Sequence, residues 1–251
     1  MKFKKIVSIV LSFVLVFNLF SGLALADIEA PDNNRALLVQ ADLPWGTTTN
    51  NIVLGMLVNE GVYSSFDVTT AQDASQPEFD LSVYKIIVFA NDQSQQTYDQ
   101  YNDILKEKIE NFAYNGGVVI FAACDQGWAG GTLTANLPGG IVKVEDFDGN
   151  NIIADYTNPV VTGELSDGVP LTNSDLYGTS CSHVSFIEES LPAGSRVILR
   201  AAVSNRPTLV DYPIGRGNII ASGLTWEFSY YYGFPFAVKA YDDLLRYALS
   251  V

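Results

Sequence analysis

A chain of 251 residues with 28 acidic against 14 basic side chains carries a formal net charge of −14. Such a surface repels nucleic acid, whose binding needs Lys and Arg to replace counterions on the phosphates, and it disfavours anionic lipid. With 48% hydrophobic residues, no internal repeat and no proline- or serine-rich linker, the chain has the length and apolar content of one well-packed domain.

The N-terminus reads MKFKK, then an apolar run from Ile6 to Phe20, then Ala24-Leu25-Ala26. A basic start, an apolar middle and small residues at a cleavage site predict a secretory signal peptide over 1–26, cut before Asp27. The apolar run is shorter than the roughly 20 residues that span a bilayer, which weighs against a retained anchor. No cysteine lies near the cleavage site to take a lipid. Cleavage removes Lys2, Lys4 and Lys5 and no acid, leaving 11 basic against 28 acidic residues and a net charge of −17. The expected protein is secreted, extracellular or loosely attached to the cell surface, with no membrane contact once the signal is gone. Residues 27–34 form a short polar lead and 35–251 a single domain.

Arg35–Gln40 (RALLVQ) is a compact apolar run, the first predicted strand. It ends in Ala41-Asp42-Leu43-Pro44-Trp45-Gly46, followed by three threonines able to cap a helix whose buried face is Ile52, Val53, Met56 and Leu57. Asn59-Glu60-Gly61 stops that helix, and Phe66–Thr69 is a second short strand. Lys85–Ala90 (KIIVFA) is apolar on both faces, as a central parallel strand should be, and ends in Asn91-Asp92-Gln93-Ser94. A long helix follows, with Tyr98, Tyr101, Leu105, Ile109 and Phe112 on one face and Gly116 suited to a left-handed cap. Val118–Ala123 then leads into Cys124, Asp125, Gln126 and Trp128. Alternating strands and helices of these lengths predict a parallel sheet with right-handed crossovers.

After Gly131 the pattern changes. Residues 132–180 are loop-rich, with short apolar runs at Gly140–Val144 and Asn151–Ala154. Val197–Ala202, Thr208–Tyr212 and Asn218–Gly223 read as strands, the last two joined by a tight turn at Gly215-Arg216-Gly217. Pro235–Leu249 keeps Ala237, Tyr241, Leu244, Leu245 and Ala248 on one side, a docking helix.

Ala123-Cys124-Asp125-Gln126-Gly127-Trp128 with Gly130-Gly131, Leu137-Pro138-Gly139-Gly140, Leu191-Pro192-Ala193-Gly194, and Pro207 through Tyr212 followed by Gly215-x-Gly217-x-Ile219-Ile220 resemble the class I glutamine amidotransferase-like superfamily. The likeness is to a branch found as modules in secreted bacterial and archaeal proteins, and many members of the superfamily lack the catalytic set. It implies a flavodoxin-like α/β three-layer sandwich with a mostly parallel central sheet and a β-rich C-terminal half. The enzymes of that superfamily place a nucleophile in a Gly-x-Cys-x-Gly elbow and hold histidine and glutamate two residues apart. Here Ala122 and Gln126 flank the cysteine, and the single histidine, His183, lies 44 residues before Glu227. Cys124 can be carried over as a nucleophile, whereas spacing does not support carrying over His183 and Glu227 as a triad.

In a flavodoxin-like sheet the loops after the first, third and fourth strands share one edge, where the winding reverses. They would assemble Asp42, Trp45, Asn91, Asp92, Asp125, Gln126 and Trp128, with Glu227 beyond. Tryptophans beside acids and amides suit sugar recognition, offering an apolar face for the ring and planar groups for the hydroxyls. The alternative is that Trp45 and Trp128 pack the loops while the acids cap helices. Cys124 with His183 as its base would make a thiol hydrolase or amidase. A Cys124–Cys181 disulfide, closing a loop of 57 residues in an oxidising compartment, would remove that thiol. Paired carboxylates such as Asp125 with Asp92 or Glu227 suit glycoside hydrolysis only at separations that sequence does not reveal. Asp146-x-Asp148-Gly149-Asn150 resembles part of a calcium loop without its closing acid, and one histidine with two distant cysteines supplies no zinc site. The aromatic run from Phe228 to Phe236 either lines the cleft or seats the last helix. The expectation is a non-catalytic extracellular module that binds a carbohydrate or cell-wall component without a cofactor, with the Cys124 hydrolase as the alternative.

Overall fold

A computed structural model describes residues 34–124, 126 and 136–251. The predicted signal peptide, Asp125 and Trp128 lie outside the described residues.

The strands are β1 (Arg35–Val39), β2 (Ser65–Thr69), β3 (Ile86–Phe89), β4 (Val118–Ala122), β5 (Lys143–Asp148), β6 (Asn151–Ile153), β7 (Ser182–Phe186), β8 (Arg196–Ala201), β9 (Pro207–Ile214) and β10 (Gly217–Ser222). Eight of them form one sheet in the order β2-β1-β3-β4-β10-β9-β8-β6, with β5 and β7 paired separately. From β2 to β10 every pairing is parallel, and β9, β8 and β6 extend the sheet antiparallel. The order 2-1-3-4-10 is that of a flavodoxin-like sheet, extended by a β-rich half.

Side chains that alternate along each central strand feed two apolar layers, because successive residues of a strand point to opposite faces. On one face Leu38, Val88, Ile120 and Ile220 pack with helix α1 (Thr49–Asn59) and the C-terminal helix. On the other, Leu37, Ile87, Phe89 and Phe121 meet Tyr98, Tyr101, Leu105 and Ile109. Those last four residues lie on α2 (Gln95–Gln100), a π-helical turn (Tyr101–Leu105) and α3 (Lys106–Tyr114), so the predicted long helix carries a local widening at Tyr101. The tyrosine packs on Phe89 and Phe121 and donates to the Asn136 carbonyl at 2.8 Å.

Two expectations are corrected. Ile52 and Met56 are 51% and 42% exposed; the buried side of α1 is Thr49, Asn50, Val53, Leu54 and Leu57. The reason is that the polar start of α1 buries against α4 (Trp226–Tyr231), a short helix that the aromatic sequence there did not announce. Strand β7, also unanticipated, pairs with β5 and joins the main sheet's edge through a bridge from Ser182 to Leu224.

The final helix, α5 (Pro235–Ser250), buries Ala237, Tyr241, Leu244, Leu245 and Ala248 as its periodicity predicts. It also buries Asp243, whose Oδ2 accepts from Ser166 Oγ at 2.9 Å. Burial, reinforced by the neighbouring Asp242 and Asp167 and only partly offset by Ser166 and Arg246, pushes this carboxyl up to about 6. A raised acid binds its proton in the folded chain while the unfolded chain has released it. Its contribution to stability therefore falls as pH rises from about 4 to about 6 and stays lost above. Asp243→Asn is expected to flatten that slope, so that urea midpoints of variant and parent diverge in the variant's favour between pH 4.5 and 7.5.

Candidate ligand-binding cleft

The site is built at the carboxyl edge of β1, β3, β4 and β10, starting from the loop after β1. There Pro44–Gly46 makes a 3-10 turn, with Pro44 supplying a fixed φ at its start and Gly46 taking φ 72. Between them Trp45 sits at φ 48, a left-handed conformation unusual for a bulky side chain. Its backbone N–H donates to Asp92 Oδ2 at 2.6 Å. Asp92, in the loop after β3, is itself left-handed at φ 56; its N–H donates to the Cys124 carbonyl at 2.7 Å and its carbonyl accepts from Gln126 Nε2 at 2.9 Å. Gln93, fully buried, ties the same two loops by accepting from the N–H groups of Ala41 and Asp42 and donating to the carbonyls of Asp42 and Asn91. Asp92 thus anchors the left-handed turn at Trp45 and is itself held by Cys124 and Gln126 of the loop after β4.

The clamp presents the Trp45 ring to a cavity of about 290 Å³ lined by Trp45, Cys181, His183, Thr225 and Phe228. Trp45 meets Phe228 edge-on at 5.9 Å and His183 at 6.2 Å. His183 arrives on β7, where its N–H donates to the Gly223 carbonyl just past β10. Thr225 precedes α4, and its Oγ1 donates to the Cys181 carbonyl at 3.2 Å.

Behind this cavity lies a buried polar network. Glu227 is 1% exposed, and its carboxylate accepts from Asn50 Nδ2 (3.1 Å), the Asn91 backbone N–H (3.2 Å) and Asn91 Nδ2 (2.7 Å). Asn91 Nδ2 also donates to the Leu224 carbonyl, and Asn91 Oδ1 accepts the Cys124 N–H at 3.0 Å. Asn50 in turn donates to Gln40 and accepts from the Tyr241 hydroxyl. Burial pushes the Glu227 carboxyl up, against the lowering effect of these hydrogen bonds. The network welds β3, β4, α1, α4 and α5 together.

The predicted site residues therefore separate. Trp45 lines the cavity, Asp92 holds Trp45 in place, Asp42 is exposed in the loop that carries Trp45 and Gln126 is half-buried beside Asp92. Asn91 and Glu227 are buried, with their polar atoms spent inside the protein. Asp125 and Trp128 are outside the described residues. Cys124 is fully buried at the end of β4, and the thiol that shares a wall with His183 is that of Cys181. The Cys124–Cys181 disulfide allowed by the even count is not formed. Burial and the nearby Asp148 push the Cys181 thiol up, away from the thiolate that a nucleophile needs. Two residues before Glu227, where the enzymes of the resembled superfamily have histidine, stands Thr225. The calcium-like fragment spends its acids internally: Asp146 accepts from Ser185 and Ser204, and Asp148 from the N–H groups of Asn150 and Val203. Among the described residues no group of three or more His, Cys, Asp or Glu is arranged to hold a metal ion.

Of the lining residues, Thr225 carries no sequence signal of its own and Phe228 is marked only as part of the aromatic run. A larger cavity of about 550 Å³ lies at the opposite end of β3 and β4, beside Phe79, Tyr84, Lys85 and Lys108. Lys108 there is committed to the carbonyls of Ala74, Gln76 and Phe79, a structural use of its charge.

Sheet order, crossovers and the β-rich half together define a flavodoxin-like α/β fold of the glutamine amidotransferase type. Solved structures agree at the level of fold. A ThuA-like protein from Bacteroides uniformis superposes with a TM-score of 0.52 at 14% identity, over 87% of this chain and 92% of its own. A cytoplasmic protein from Salmonella typhimurium gives 0.51 at 15% identity, over 85% and 98%. A glutamine amidotransferase from Thermotoga maritima gives 0.50 at 11% identity, over 86% and 96%. No protein-family model matches the chain. In sequence it is similar to an uncharacterised protein of Clostridium acetobutylicum, 29% identical over 201 residues. That match covers 80% of this chain, which spans about a fifth (19%) of the relative's length.

Proposed function

We propose that the chain is a secreted, non-catalytic module that binds a neutral carbohydrate or similar cell-surface component in the cleft of Trp45, His183 and Phe228. The observation that carries this reading is the clamp of Asp92 on Trp45. Both are in left-handed backbone, and the strain is spent on fixing one aromatic ring at a cavity mouth. A preset ring lowers the entropy cost of binding and offers its face to the apolar side of a sugar. The net charge of −17 after signal cleavage favours an uncharged ligand over an anionic one. The likeness to one stretch of a much longer bacterial protein is in keeping with a module. Against the alternative of a hydrolase using Cys124 and His183 stand the burial of Cys124, the internal use of Glu227 and the threonine at position 225.

Protein recovered from the medium, starting at Asp27, is expected to be retained on insoluble cell-wall polysaccharide, and Trp45→Ala to weaken that retention by about tenfold or more, the worth of one aromatic contact of some 1.4 kcal/mol. Retention unaffected by Trp45→Ala would remove the cleft from the account. Turnover of a glycan or amide substrate that vanishes in Cys124→Ser would replace the binding module with the thiol enzyme.

A further inference from the structure

The cavity is the middle of a longer feature. Tyr231 and Tyr232 on and just after α4 meet at 5.1 Å, Tyr232 meets Phe228 at 4.6 Å, and Phe228 meets Trp45 at 5.9 Å. Trp45 continues to His183 at 6.2 Å, and His183 to Phe147 of β5 at 4.9 Å. Six rings from four separate segments form a continuous series of ring-to-ring contacts, with Phe234 joining it beside Phe228 and Tyr232. Its centre is half-buried and its ends are open: Tyr231, Tyr232 and Phe147 are 62%, 60% and 57% exposed. A core cluster would bury such rings, and a pocket for one small ligand would leave no use for aromatic residues beyond both of its rims.

We propose that this row is an extended platform that takes several consecutive sugar units of a neutral polysaccharide, an internal stretch of chain rather than a single terminal sugar. The proposal rests on the carbohydrate-binding reading and specifies its substrate class. Aromatic residues ordered before the ligand arrives contribute contact area at little conformational cost, since each has only two rotatable side-chain bonds. Successive rings act as linked subsites, so once one unit is seated the next binds from a high effective concentration. The acidic surface turns away uronic-acid or phosphate polymers, whose charges would meet a net −17 on the chain that starts at Asp27. It leaves neutral glucans, mannans, xylans and N-acetylhexosamine polymers as the class.

The test is titration calorimetry of the mature protein with cello-, manno-, xylo- and chito-oligosaccharides of one to six units. Tyr232→Ala and Phe147→Ala serve as variants at the two ends of the row; both side chains are exposed, and thermal melts check that folding is kept. The expected result is, for one series, an affinity that climbs with each unit to at least four and gains about tenfold or more from dimer to hexamer. Each variant then loses about tenfold for the hexamer while binding the dimer within twofold of the parent. An affinity that is flat beyond two units and indifferent to both variants overturns the platform and leaves the cleft reading intact. No binding of any series by the parent, at millimolar ligand, overturns both, and the exposed rings are then a protein-binding face.

Discussion

Gly223→Ala is expected to destabilise the domain by at least about 4 kcal/mol, visible as a shifted urea midpoint or as failure to accumulate folded protein. A Cβ built on Gly223 would lie 1.9 Å from the Val184 carbonyl oxygen. That neighbour is backbone and cannot rotate away. Gly223 follows β10, donates to the Thr208 carbonyl at 2.8 Å and accepts from the His183 N–H at 3.0 Å. It is the point at which β7 is pinned to the main sheet, and any relief of the clash moves His183 and Cys181 away from Trp45. A variant that folds in spite of the clash should therefore have lost ligand retention. Full stability together with full retention would show that β7 does not contact the sheet edge as described.

The second large effect concerns the buried carboxylate. Glu227→Ala is expected to cost about 3 kcal/mol, because Asn50 Nδ2, Asn91 N–H and Asn91 Nδ2 lose their acceptor in a buried site. Relief of the desolvation that raises this carboxyl, and water entering the space left, keep the cost below the sum of three orphaned donors. Glu227→Gln retains one acceptor oxygen and the volume, and should recover about half of the loss. The measurement is chemical denaturation at pH 7, with binding of the longest retained oligosaccharide as the second readout. A Glu227→Ala protein with unchanged midpoint but lost activity on a substrate would mean that this carboxylate serves chemistry rather than architecture.

These two positions also separate what one-dimensional pattern could reveal from what it could not. Strands β1, β3 and β4 were legible because they are buried on both faces, and the all-apolar runs of ALLV, IIVF and VVIFA have few other structural uses. Helix α5 was legible because one face of a regular helix meets one continuous core. Periodicity failed on α1, where Thr49 and Asn50 are buried and Ile52 and Met56 are exposed. Its buried side is completed by polar contacts to Thr47, Gln40 and Glu227, and hydrophobic spacing does not register those. It failed again on β7, whose sequence SHVSF mixes polar and apolar residues although Ser182 and Ser185 are fully buried, Ser185 donating to Asp146 of β5, a polar use of buried positions that hydrophobic spacing does not register.

Of the cleft, the chain by itself determined the loops: short polar turns at the ends of apolar strands converge at one sheet edge whenever the strands run parallel. It also determined that a histidine 44 residues before Glu227, with bulky Gln126 in the elbow, departs from the enzymes it resembles. Only the tertiary structure decided which residues line the cavity. Whether Asn91 and Glu227 point outward or into a shared buried network depends on how α1 and α4 close over the sheet, a matter of contacts between residues 136 and 177 positions apart. The same holds for His183, which β7 brings beside Trp45, and for Phe147 of β5, which meets His183. Local propensity acts within a few residues, whereas this cleft is assembled from long-range pairings whose energy appears only once the sheet has formed.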